Sequence, residues 1–269
     1  MGPAFSSKDA IGGNLVSLRS DWKEVLVTSG KFLCFLQVRP DMKRLGRHYV
    51  AFGLVASWLA GMGRYWDTPG AQWWQYAGLG SVAYTLFMAA FLWALIKPLK
   101  PKNWSYVNVL TFVGMTAPPA ILYAIPVERF SDPYTATQVN YGFLLAVASW
   151  RVVLLWAYLR RSARLRIMHA FLALSLPLSL IMVVLEYFQF TEMIMEGMAG
   201  NRGGQDPPNR AGEFVISLSW LSLFAFPFLL VGYLAAAGYY APKPQFEDSD
   251  GGPRIVELTQ SSGDPGGTP

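Results

Sequence analysis

Apolar positions fall into six continuous runs separated by short polar links, a pattern that predicts helices buried in lipid. The runs are Tyr49–Gly63, extending toward Trp66, then Tyr76–Ile96, Val107–Val127, Val139–Leu159, Met168–Phe188 and Phe214–Tyr240. A helix rising 1.5 Å per residue needs about 20 apolar residues to cross a hydrocarbon core roughly 30 Å thick. A membrane β-barrel would instead show segments of about 10 residues with alternating polarity, and these runs do not alternate. The predicted fold class is all-α, a polytopic transmembrane bundle of six spans.

A different periodicity precedes the first run. Over Asp21–Val38, the residues Trp22, Val25, Leu26, Ser29, Phe32, Leu33 and Leu36 share one helical face, with Lys23, Glu24, Lys31 and Gln37 off it. Such a segment predicts an N-terminal interfacial amphipathic helix lying in the headgroup region and ending at Pro40. Arg39, Lys43, Arg44 and Arg47 follow as a basic collar, each expected to contribute about 1 kcal/mol against an anionic leaflet. The chain thus divides into a mobile leader (1–20), an interfacial helix and collar (21–47), the six-span domain (48–240) and a tail (241–269). That tail is rich in Pro, Gly, Ser and acids, a composition that predicts disorder.

Charge placement orients the bundle. Only 14% of residues are charged, and 53% are hydrophobic; soluble domains carry about 25% charge. Of the 22 Lys and Arg, 17 lie in the N-terminal arm, the Lys97–Tyr106 link, the Arg160–Ile167 link and the tail. The opposite links hold four: Arg64, Arg129, Arg202 and Arg210. By the positive-inside rule both termini are cytoplasmic, in the plasma (inner) membrane. The same asymmetry accounts for the basic balance without nucleic acid as a partner. A single cysteine, Cys34, and two histidines leave no internal disulfide and no expected metal site or cofactor. The first 20 residues are polar and glycine-containing, unlike a signal peptide.

Arg151 departs from the pattern. It stands 12 residues beyond Val139, about 18 Å along its span, where an arginine costs on the order of 2.5–3.5 kcal/mol. Prolines recur near that depth: Pro118, Pro119, Pro177 and Pro227. A helical proline frees the carbonyl four residues earlier, which names Gly114, Met115, Ala173 and Leu223. The expected arrangement is a layer of broken helices in which Arg151 donates to Gly114 and Met115, with Thr116 and Ser175 as auxiliaries. Three readings follow: a polar cavity that holds an anionic group such as a lipid headgroup phosphate, a staple of the bundle, or Ser149 and Arg151 snorkelling toward the cytoplasm.

The opposite face is acidic and aromatic. Arg64, Asp67, Glu128, Arg129 and Glu186 form a candidate external charge cluster, with charges capping helix ends as the simpler reading. Glu192 and Glu196 stand one turn apart in a longer acidic link. Enzyme signatures such as His-Glu-x-x-His, Gly-x-Ser-x-Gly and Gly-x-x-x-x-Gly-Lys do not occur, so no catalytic residue is assigned.

Three landmarks together resemble the Yip1-like group of polytopic membrane proteins. They are Arg39-Pro40 before the first span, Asn103-Trp-Ser-Tyr106 leading into Val107–Pro119, and the basic Arg160–Arg166 link before a fifth span. The resemblance implies a membrane-organising or trafficking-related role and supplies no catalytic residue. Residues and resemblance together predict a non-enzymatic scaffold or accessory protein. Its partners would be the bilayer, anionic lipids of the cytoplasmic leaflet, and a membrane protein or a second copy of the chain. Gly53, Gly61, Gly78 and Gly80 offer small faces for such pairing. The alternative is a small transporter or anion-handling protein working through Arg151.

Overall fold

Two glycines set the centre of the molecule. A Cβ built on Gly53 would lie 2.7 Å from the Gly114 Cα, and one on Gly114 equally close to Gly53, so the two backbones touch where their helices cross. The computed structural model describes residues 7–38, 40–66, 72–188 and 210–239. Among these the chain is all-helical: α1 (Ser7–Leu33), α2 (Met42–Tyr65), α3 (Trp73–Tyr76), α4 (Leu79–Ile96), α5 (Tyr106–Met115), α6 (Pro133–Arg161), α7 (Ile167–Tyr187) and α8 (Arg210–Tyr239). Short 3-10 segments cover Lys97–Leu99, Pro118–Ala124 and Val127–Arg129.

Four helical stretches are long and apolar enough to cross a membrane: Leu79–Leu99, Tyr134–Arg161, Ile167–Tyr187 and Ile216–Gly238. Tyr106–Met115 and Pro118–Ala124 together make a fifth, bent by 41°. The sixth expected span is α2, which falls short of that standard. Its apolar run is bracketed by Arg47 and Arg64 and diluted by Gly53, Ser57, Gly61 and Gly63. Yet α2 is the hub of the bundle, burying Tyr49, Gly53, Ser57, Ala60 and Gly61 against α4, α5 and the bent segment. Its small residues are used inside the chain rather than offered to a second copy. Gly61 faces Ser81, and Gly78 (φ +65) brings its Cα under the Trp58 carbonyl. Thr85 Oγ1 lies 2.9 Å from both Ser57 Oγ and the Ser81 carbonyl, which joins α2 to α4.

The outer surface is apolar. Phe87, Phe224, Phe228 and Val231 are all exposed, Phe228 at 80%. Soluble monomers do not present contiguous apolar surface on this scale, so the molecule has the build of a membrane protein. α8 packs mainly on α7, where Ser179 Oγ donates to the Ser222 carbonyl at 2.9 Å.

Of the expected layer of broken helices, one break is present. α7 and α8 run through Pro177 and Pro227, whereas α5 stops before Pro118. A single proline removes one donor and kinks a helix, but the tandem Pro118-Pro119 removes two in succession.

At the N-terminal side, α1 begins at Ser7, inside the expected mobile leader. Its buried stripe is Val25 and Ser29, with Phe32 packed edge-on to Phe112, while Leu26 and Leu36 of the predicted apolar face are exposed. The helix lies against α2 through Val25, which is buried with Leu45, Tyr49 and Met115, and Arg44 adds pairs to Asp21 at 2.8 Å and to Glu24. It ends in a reversal at Phe35 (φ +60), where the Leu36 N–H donates to the Lys31 carbonyl and the Phe35 N–H to that of Phe32. α6 holds that end: Trp150 Nε1 donates to the Leu33 carbonyl at 3.1 Å and Arg161 to the Phe35 carbonyl at 2.8 Å. The expected tail (241–269), Arg39, Asp67, Glu192 and Glu196 lie outside the described residues.

Two expectations follow. Gly53→Ala or Gly114→Ala forces the crossing apart and lowers stability by about 1–3 kcal/mol. Gly142→Ala has open space around its Cβ and causes no loss; chemical unfolding in detergent compares them. Asp132 caps α6 by accepting from the Thr135 N–H at 2.9 Å. That bond, followed by the Thr135 hydroxyl, lowers its pKa. A depressed carboxyl pKa contributes stability above the unfolded value of about 3.9 and loses it as pH falls through the folded value. Amide protection in the first turn of α6 should therefore drop in acid, and Asp132→Asn should abolish that pH dependence.

Candidate functional site

Arg151 is placed by its neighbours one turn away on α6. Val147 packs with Ala60 and Ala120, and Leu154 and Leu155 enter the main core, so Arg151 lies on the inward stripe between them. The side chain is half-buried, and its Nε donates to the Thr116 carbonyl at 3.2 Å. No carboxylate among the described residues pairs with it.

The acceptor differs from the expected Gly114 and Met115, and the reason is local. α5 tightens at its end, so Ala117 donates to the Gly114 carbonyl at 3.0 Å and that oxygen is satisfied. In such a 3-10 turn, donors come from three residues ahead. The residue three beyond Thr116 is Pro119, which has no N–H, and the Ala120 N–H goes to Ala117. By the same spacing Pro118 removes the donor three beyond Met115, so among the backbone bonds of the described residues neither the Met115 nor the Thr116 carbonyl has a main-chain donor, and Arg151 reaches that of Thr116. The Thr116 hydroxyl turns back to the Val113 carbonyl at 2.7 Å. Met115 instead buries its side chain with Val25, Leu45 and Tyr49. Ser175 is half-buried on α7 and makes no hydrogen bond to Arg151.

No family model, curated protein or solved structure matches this chain. The reading of the site rests on its own geometry.

At the opposite end from the α4–α5 and α6–α7 links, arginines lie over aromatic rings. The Arg64 guanidinium stands 5.5 Å from the Tyr65 ring and 5.9 Å from that of Tyr123. Arg129 sits 4.9 Å over Trp66, whose Nε1 donates to the Ala124 carbonyl at 3.0 Å. Each such contact is worth about 0.5–2 kcal/mol. Of the remaining cluster, Glu186 is half-buried in the last turn of α7, and the Glu128 side chain is outside the described residues.

In the basic collar, Lys43, Arg44 and Arg47 are exposed, but Arg44 is already engaged by Asp21, Glu24 and Asp41. The Glu24 hydrogen bond, with Coulombic support from all three carboxylates, raises its pKa further. Arg44 is thus a fastener between α1 and α2 before it is a lipid contact. Sequence reading passed over Trp150, whose indole donor clamps α1. The available signal was a tryptophan beside Arg151 that a helix end could reach.

Arg151→Leu leaves the Thr116 carbonyl without a donor, a loss of about 1–3 kcal/mol. The expected result is a lower unfolding midpoint in detergent together with faster exchange of the Ala117 and Ala120 amides. Ser175→Ala should change neither by more than about 0.5 kcal/mol.

Proposed function

We propose that the chain is a non-enzymatic membrane scaffold or accessory protein that organises anionic lipid at one face of the bilayer. The observation that carries this reading is the Arg151 bond to Thr116. A guanidinium N–H committed to a break in its own main chain supports a structural use of Arg151 over one reserved for cargo. The sequence adds the basic collar and the two basic links, which favour an anionic leaflet.

In this proposal α2 is the first of six spans. It is packed between α4 and α5, so it enters the bilayer with them and leaves Lys43, Arg44 and Arg47 among the headgroups. Both termini are then cytoplasmic, in the plasma (inner) membrane. The likeness to Yip1-like proteins, carried by Arg39-Pro40 and the link residues, belongs to the same proposal and favours a membrane-organising role. A membrane-protein partner would dock on the exposed outer faces.

Cys34 is exposed and is the chain's single cysteine, which makes it a natural reporter. A membrane-impermeant maleimide should label it in inverted vesicles and not in intact cells; labelling from outside would refute the topology. Vesicles loaded with chloride or phosphate and carrying the protein should leak no faster than empty ones. Efflux that depends on Arg151 would replace the scaffold reading with transport.

A further inference from the structure

Three links meet at one end of the bundle: the described parts of the α1–α2 link (residues 34–38 and 40–41), the α4–α5 link (97–105) and the α6–α7 link (162–166). The Lys102 N–H donates to the Ala163 carbonyl at 3.0 Å, which ties two of them together. Between them and the ends of α5 and α6 lies a cavity of about 630 Å³, within the range that takes a small organic ligand.

Its wall is of two kinds. Phe32, Phe35, Leu36, Phe112, Met115 and Leu154 supply the apolar part, with Phe112 held firm by stacking on Tyr158 at 4.4 Å. Lys43, Arg161, Arg164, Asn103, Asn108 and Thr111 supply the polar part. One carboxylate, Asp41, also lines it, but Asp41 caps α2 through the Arg44 N–H at 3.1 Å and lies 3.6 Å from the Arg44 guanidinium. The three cations are therefore not neutralised from within.

A further observation points to a ligand. Thr111 is 3% exposed, lines the cavity, and its hydroxyl is buried without a hydrogen-bond partner. A helical threonine can satisfy itself on the preceding turn, so an unpaired hydroxyl here is a donor in waiting.

We propose that this cavity binds an anionic phospholipid. The phosphate is held by Lys43, Arg164 and the Thr111 hydroxyl, and the start of an acyl chain lies along Phe112, Met115 and Leu154. Arg161 contributes with the donors not given to Phe35. The apolar wall distinguishes this occupant from free phosphate, which has no use for it. The proposal rests on the membrane-embedded reading above, because only then do these links lie at headgroup level.

The test uses the full chain in neutral detergent, with native mass spectrometry of added short-chain phosphatidylglycerol, short-chain phosphatidylcholine or inorganic phosphate. Arg164→Gly is the chosen variant, since glycine accepts φ +53 and removes the charge while relieving the backbone. Its unfolding midpoint should equal or exceed the parent's, while phosphatidylglycerol affinity falls about ten-fold or more; adding Lys43→Gln should deepen the loss. Thr111→Val should weaken binding without lowering stability. The proposal is overturned if the double variant binds as the parent does, if phosphatidylcholine binds equally well, or if inorganic phosphate displaces the lipid at matching concentration. Cys34 labelled from outside would sink the topology while leaving these affinities in place, so the two failures are told apart.

Discussion

A main-chain carbonyl in hydrocarbon has no water to turn to, and this constraint organises the centre of the molecule. Pro118 and Pro119 stop α5 and take the main-chain donors from the Met115 and Thr116 carbonyls, and α6 answers at Thr116 with Arg151. An arginine and a broken helix would each be unfavourable in lipid alone. Together they cancel, because a donor-only side chain meets an acceptor that has lost its donors. The close Gly53–Gly114 contact lies one turn before the break and brings α2 against the same place. Bend, arginine and glycine crossing are one construction.

The two ends of the bundle handle charge differently. At one end Arg64 and Arg129 lie over aromatic rings, which spread a positive charge over apolar surface. At the other, Arg44 is fastened by carboxylates, whereas Lys43, Arg161 and Arg164 surround a cavity. The second end also uses a ring, with Lys97 4.6 Å over Trp93. What it adds is carboxylates from α1 and the N-cap of α2, which reach only part of the basic set there.

Much of the fold was legible because lipid imposes a simple pattern. The runs behind α4, α6, α7 and α8 are long, and their helices match them closely. α2 was harder to read: its membership comes from Gly53, Ser57 and Gly61 fitting neighbours, and small residues lower hydropathy while they raise packing. The inward face of Arg151 was readable from the cost of the alternative. Its acceptor was not, since a rule written for α-helical spacing names Gly114 and Met115, whereas the tighter turn there satisfies Gly114 and opens Met115 and Thr116. On α1 the predicted face holds the residues that pack inward, Val25, Ser29, Phe32 and Leu33, while the Arg44 pairs with Asp21 and Glu24 could not be read from apolar periodicity. The cavity was hidden because Arg164 and Asn103 read as link residues until tertiary contacts brought the links together.

Consecutive residues of α6 reach out to different helices, Trp150 to the end of α1 and Arg151 to the end of α5. Adjacent positions on a helix point about 100° apart, so the two donors brace α6 from two directions. Rolling this helix about its long axis would unlatch both at once. α6 is in effect keyed like a shaft, and any rearrangement of the bundle must swing around it rather than turn it.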